Sequence, residues 1–197
     1  MQTPSTRDAL LDATEAIMRD EGYAAVSTRH VAARAGTDKA LVHYYFGTMD
    51  DLFISVFRRN AERGAERLGQ VLDAPQPLWA LWDMLHDRSS TVLITEFLAL
   101  ANHRKAVKDV MVENSRKFRR IQLDRLAGVL ERYGLDPDRW PPAAVIVLMS
   151  GISRYLRTDE AFGIQLGHDE TIELVERHIR ALEGPRRRQP RNSGRSK

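Results

Sequence analysis

The stretch STRHVAARAGTDKALVHYYF, residues 27–46, gathers the side chains best suited to recognising something outside the fold. Val31, Ala32 and Ala35 make one apolar spacing and Leu41, Val42 and Phe46 another, with Gly36 between them. Each spacing fits one face of a helix about two turns long. Gly36 accepts the left-handed backbone that a reversal needs, and Ala32 is small enough for two helices to cross closely. Lys39, Ala40, His43 and Tyr44 then fall on the outer side of the second segment. A short helix presenting polar and aromatic groups from its N-terminal half suits the major groove of B-DNA. Arg29 and the hydroxyls of Ser27 and Thr28 open the first segment, where free backbone N–H groups favour phosphate. Neighbours on a helix point about 100° apart, so Tyr44 and Tyr45 cannot both be buried. Lys39 opposes the helix dipole, which argues for a functional reason to keep a cation there. The charge over the stretch is +2, from Arg29, Arg34 and Lys39 against Asp38.

Catalytic chemistry has no comparable pattern. No GxSxG, HExxH, P-loop or GxGxxG run occurs. The 6 histidines include no pair at i,i+4, and the absence of cysteine excludes disulfides, thiolate metal sites and cysteine nucleophiles. The expectation is a protein that is not an enzyme, with no catalytic residue, metal or cofactor assigned.

Positioning residues 27–46 requires helices, and the whole chain reads as all-α. A first helix carries Leu10, Ala13 and Ile17 and stops at Gly22. Short helices follow from about Ser27 to Ala35 and from Asp38 to Phe46-Gly47. Thr48-Met49-Asp50-Asp51 has the form of a cap for a long fourth helix that runs toward Asp73. Pro75 and Pro77 mark an internal break. Further helices are expected over about 78–86, 89–102, 106–133, 142–158 and 169–182, the last ending at Gly184-Pro185. The expected division is a helix-turn-helix domain over 1–47, a helical ligand-binding and dimerisation domain over 48–184, and a basic tail over 185–197 with the composition of a disordered segment.

The net charge of +3 resides in that tail. Its six bases carry no acid among them, and without them residues 1–184 have a net charge of −3. Nucleic-acid binding must therefore rest on a local arrangement. No apolar run approaches the roughly 20 residues of a membrane span, and no signal-peptide core opens the chain, so the expected address is cytoplasmic.

Residues 7–58 resemble the N-terminal domain of the TetR family of bacterial transcriptional regulators. The resemblance is carried by Gly22-Tyr23, Val31-Ala32, Ala35-Gly36, Asp38, His43-Tyr44-Tyr45-Phe46 and Asp51-Leu52, in the family's order and spacing. It implies a homodimer on a double-stranded DNA operator with two half-sites, and a C-terminal domain that binds a small effector. It implies base-reading roles for Arg29, Lys39, Ala40 and His43, and phosphate contacts for Ser27, Thr28, Tyr44 and Tyr45. Two positions depart from the pattern. Ala40 stands where the family often has glycine, and Met49 where it usually has a phosphate-facing lysine. Met49 and a near-neutral N-terminal region support the alternative of an all-helical small-molecule binding or interaction protein that has lost DNA binding.

Beyond residue 78 the large apolar and methionine side chains could line an apolar or amphipathic site. Trp82, His86, Glu96, Phe97, Phe118 and Met149 are the candidate ligand contacts. Glu96 lies within the apolar run VLITEFLALA, where a carboxylate needs a partner or a solvent face. Leu148, Gly151, Ile152 and Tyr155 repeat at helical spacing, as do Ile172, Val175 and Ile179. The resemblance implies that these two helices pair across the dimer.

Overall fold

A computed structural model describes residues 5–187, the side chains of 88–91 excepted. Among the described residues every regular element is a helix: α1 (Thr6–Glu21), a 3₁₀ turn (Tyr23–Ala25), α2 (Thr28–Arg34), α3 (Lys39–Phe46), α4 (Met49–Leu72), α5 (Pro77–Leu85), α6 (Arg88–Ala101), α7 (Lys105–Arg132), α8 (Pro142–Ala161) and α9 (His168–Glu183). The expected all-α class and helix order hold, and most ends shift by one to three residues. No described helix is long and apolar enough to cross a membrane.

The chain forms two compact units. One runs to Arg67 and adds Asp87–Asp124; the other comprises Leu68–His86 and the chain from Arg125 onward. The grouping follows neither the expected cut after residue 47 nor the proline pair, because α4 and α7 each contribute to both units.

In the first unit, side-chain caps fix where the short helices begin. Ser27 Oγ accepts from the His30 N–H at 3.3 Å, and Asp38 Oδ1 accepts from the Ala40 N–H at 2.7 Å. Thr48 Oγ1 accepts from the Asp51 N–H at 3.1 Å and donates to Asp51 Oδ2 at 2.6 Å. Each such cap contributes about 1 kcal/mol and, more usefully here, sets the phase of the helix it opens. Gly36, at φ 65°, makes the reversal between α2 and α3. The core joins Leu10, Ile17 and Met18 of α1 to Val31, Ala32, Val42 and Phe46, and these to Leu52, Phe53 and Val56 of α4. Leu93, Phe97 and Leu100 of α6, with Val107 and Met111 of α7, complete the same core. The helix-turn-helix thus shares its core with α6 and α7.

The second unit packs α5, α8, α9 and the end of α7 around Leu81, Trp82, Leu126, Val129 and Ile146. The start of α5 has no local side-chain cap. Glu183, more than a hundred residues away, supplies one: its carboxylate accepts from the Leu78 N–H at 2.7 Å, the Trp79 N–H at 3.0 Å and the Tyr133 hydroxyl at 2.7 Å. The expected tail begins as packed structure rather than as free chain. Arg186 lies 4.7 Å from the centre of the Trp79 ring and pairs with Asp83, and the Arg187 N–H donates to Gln76 Oε1 at 2.8 Å. The remainder of the tail, residues 188–197, lies outside the described residues.

Candidate nucleic-acid interface

The caps and the core place α3 so that Val42 and Phe46 point inward while Lys39, Ala40, His43, Tyr44 and Tyr45 are exposed. Tyr44 is 78% exposed and Tyr45 38%, with the two rings edge to face at 5.1 Å. Phe46 is closed over by Arg7, whose guanidinium carbon lies 5.5 Å from the ring centre. From α2, Ser27 and Arg29 are exposed and Thr28 is half-buried. All eight residues expected to face DNA therefore belong to one helix pair, and seven of them face solvent.

Their hydrogen bonds separate roles that spacing alone leaves together. Arg34 is turned back onto α1, pairing with Asp20 and with Glu21 at 3.3 Å. Arg29 and Lys39 have no ion pair among the described residues and carry the local positive charge. His43 Nδ1 lies 3.2 Å from the Gly47 carbonyl oxygen. A carbonyl only accepts, so the neutral ring carries its proton on Nδ1 and offers Nε2 as an acceptor. That form suits an exocyclic amine of adenine or cytosine in the major groove. The Thr28 hydroxyl donates toward Met49 Sδ at 3.5 Å, which makes Thr28 the least available of the eight for a phosphate. Met49 itself is partly buried against the core and presents no charge.

The arrangement is a small, capped, two-helix head with unpaired cations and aromatics on one side. Residues 10–56 match the sequence model for bacterial regulatory proteins of the tetR family. The N-terminal part of the chain thus carries a match to the TetR family. The chain is 40% identical over 55 residues to the HTH-type transcriptional regulator BetI of Rhizobium meliloti (strain 1021), covering 28% of this chain and 27% of BetI. It is 30% identical over 115 residues to the HTH-type transcriptional repressor NicS of Pseudomonas putida KT2440, covering 53% of this chain and 54% of NicS. The chain thus spans about half the length of NicS, and about a quarter of BetI, in these matches. Among solved structures, a TetR transcription regulator from Haloarcula marismortui superposes with a TM-score of 0.67 at 19% identity, over 90% of this chain and 97% of that one. That likeness is one of fold.

The residues expected to contact an effector divide between the two units. Trp82, His86 and Met149 lie in the second unit, and Glu96, Phe97 and Phe118 in the first. Phe97 is a core residue of the reading head, 1% exposed, with its ring centre 5.3 Å from that of Phe57. Glu96 Oε2 accepts from the Tyr23 N–H at 2.8 Å, so the partner that its apolar run demanded is the backbone after α1. Sequence spacing could not show this, because α6 and the turn are 73 residues apart. Trp82 is buried edge-on against His86, the ring centres 3.9 Å apart. Burial holds the His86 imidazole below the usual histidine range and outweighs its hydrogen bond to the Trp82 carbonyl.

Of the residues expected at a dimer interface, Leu148 and Tyr155 are 62% and 65% exposed, and Gly151 is exposed as well. Ile152, Ile172 and Val175 are half-buried. Ile179 is buried within the second unit. A cleft of about 340 Å³ between α8 and α9 is lined by Gly151, Ile152 and Tyr155 together with Leu166 and His168.

Proposed function

We propose that this protein is a homodimeric, ligand-responsive, DNA-binding transcriptional regulator that acts as a repressor. The observation that carries the reading is the outer face of α3. Lys39, Ala40, His43, Tyr44 and Tyr45 stand exposed on a helix whose other side is locked into a core. NicS is a transcriptional repressor, which supports the sign of regulation. Arg29, Lys39, Ala40 and His43 read base edges, and Ser27, Thr28, Tyr44 and Tyr45 hold the backbone. The exposed apolar side chains of α8, Leu148 and Tyr155 foremost, pair the two subunits, and the address is cytoplasmic.

Regulation follows from two spacings of the two heads in the dimer. An apolar or amphipathic effector that binds one spacing more tightly shifts the population toward it. Helix α4, continuous from the head through both units, carries the motion.

Fluorescence anisotropy on duplex fragments from upstream of the protein's own gene, at two salt concentrations, tests this. Tight binding to one fragment is expected, with log K falling by about 0.9 per log unit of salt for each phosphate neutralised. Because Met49 supplies no charge, the slope should be shallower than in relatives with lysine there. Tyr44→Ala should weaken binding to every fragment, and Lys39→Ala should in addition relax the discrimination between fragments. Binding that ignores salt, or that survives both substitutions unchanged, would sink the reading.

A further inference from the structure

A groove of about 730 Å³ lies between α6 and α7, wholly within the first unit. Four cations line it: Lys108, Arg116, Arg119 and Arg120, and no acidic residue does. Their spacing along α7 puts all four within about 120° of the helix circumference. Of the acids in this stretch, Glu113 is taken up by Lys117 at 2.7 Å, and Asp109 and Asp124 do not line the groove. Arg119 is hydrogen-bonded only to the neutral Gln122 Oε1, at 3.4 Å. Lys108, Arg116 and Arg120 have no ion pair among the described residues. Like charges crowded along one wall repel one another, and an anion between them would relieve that repulsion.

The floor between these cations is apolar. Leu98 and Val112 stay 48% and 42% exposed there, beside Met111 and Leu123. From Lys108 to Leu123 the groove follows α7 for about 22 Å at 1.5 Å per residue. An elongated apolar trough with uncompensated positive charge along one wall matches one ligand chemistry. We propose that the α6–α7 groove is the binding site of an anionic amphiphile, with an unbranched hydrocarbon body on Leu98, Met111 and Val112 and an oxyanion head held by Arg116 and Arg120. Planar guanidinium groups suit either a carboxylate or a phosphate head.

The site also has a route to the reading head. Met111 and Ala101 line the groove and belong to the core that holds α1 through α4 together. This consequence, and only this one, rests on the DNA-binding reading above.

Isothermal titration of the full chain with dodecanoate, dodecyl phosphate and dodecanol, each below its aggregation concentration, tests the site. At least one anion is expected to bind at least tenfold more tightly than the alcohol, and whichever anion binds identifies the head. Arg116→Gln with Arg120→Gln should weaken the anion about tenfold, leave dodecanol unchanged and leave the thermal midpoint in place, since neither arginine has an internal partner. Val112→Asp, which places a carboxylate on the floor, should weaken the anions further. Equal binding of anion and alcohol, binding indifferent to both sets of substitutions, or no binding of either anion would each overturn the proposal. Tyr44→Ala should bind dodecanoate as the parent does, so loss of DNA binding and loss of ligand binding register separately.

Discussion

Replacing Glu96 with alanine should loosen the reading head at a single amide. The carboxylate reaches from α6 to the Tyr23 N–H at 2.8 Å, and a Cβ on Gly22 would stand 3.4 Å from the same oxygen. Tyr23 opens the 3₁₀ turn, and the first N–H groups of a helix have no acceptor within it. A hydrogen bond to a charged group contributes about 1.5–3 kcal/mol, and at this half-buried position water recovers part of it. The loss in Glu96→Ala should therefore be about 1.5 kcal/mol. Glu96→Gln, which keeps an acceptor oxygen but no charge, should lose about half as much. Native-state amide exchange reads the site directly, and a loss of 1.5 kcal/mol in local opening accelerates exchange by about twelvefold. Tyr23 should show that acceleration in the alanine variant, a smaller one in the glutamine variant, and the Ile17 amide of mid-α1 should show neither. Exchange at Tyr23 within about twofold of the parent, or a glutamine variant as fast as alanine, would refute the assignment.

Gly22→Ala should lower stability by about 1–3 kcal/mol in thermal unfolding, because φ 85° and ψ 162° lie in a region essentially reserved for glycine. Burial pushes the Glu15 carboxyl up, but hydrogen bonds from Arg19, Asn60 and Arg59 with the Arg19 charge hold it below the usual 4.5. Its stabilisation is then complete above about that pH and lost as pH falls through the lowered value, so Glu15→Gln should flatten the acid limb of a stability–pH curve. Glu183→Ala should destabilise the second unit by at least about 2 kcal/mol in urea unfolding, since two helix N–H groups lose their acceptor, while Tyr133→Phe should cost about 1 kcal/mol. Burial, then the hydrogen bond and charge of Glu183, push the Tyr133 phenol from 10.0 up to about 12. That stabilisation is present below pH 10 and disappears as pH rises through the folded value, a loss that Tyr133→Phe should remove and that ultraviolet difference titration can follow.

The helices and their caps are legible in the sequence because their determinants are local. Ser27, Asp38 and Thr48 announce helix starts within three residues of where they act, and Gly36 announces the turn. The outward face of α3 is legible for the same reason, since Val42 and Phe46 fix its phase. Local periodicity cannot say which core each apolar stripe will join. Phe97 and Met111 have the same character as Trp82 and Met149, yet the first two complete the core of the reading head and the others belong to a different unit. Glu96 needs a partner by its apolar context, but a backbone amide 73 residues away leaves no pattern in sequence. Arg116, Arg119 and Arg120 fall in the basic run RKFRR, which reads as a solvated helix face, and only the packing of α6 shows that they share a groove with Lys108. The start of the tail is hidden for a related reason: nothing local says that Arg186 will find Trp79 and Asp83.

The membership of α6 in the head's core has a consequence for regulation. Leu93, Phe97 and Leu100 face that core at spacings of four and three, while Leu98, one residue from Phe97, is exposed in the groove. One helix therefore carries the head's packing on one side and the proposed ligand floor on the other. Close-packed interiors do not absorb a displaced helix gradually, so a body seated in the groove acts on α1 through α6. Weakening DNA binding a hundredfold requires a coupling of about 2.7 kcal/mol, only about twice the expected contribution of the Glu96–Tyr23 bond. If that bond transmits part of the coupling, Glu96→Ala should shrink the effect of dodecanoate on operator affinity while leaving dodecanoate affinity itself within about twofold. Operator titrations with and without dodecanoate, on parent and variant, give the coupling as a difference of four affinities. An unchanged coupling in Glu96→Ala would mean that the groove acts on the head through the apolar contacts of Ala101 and Met111 alone.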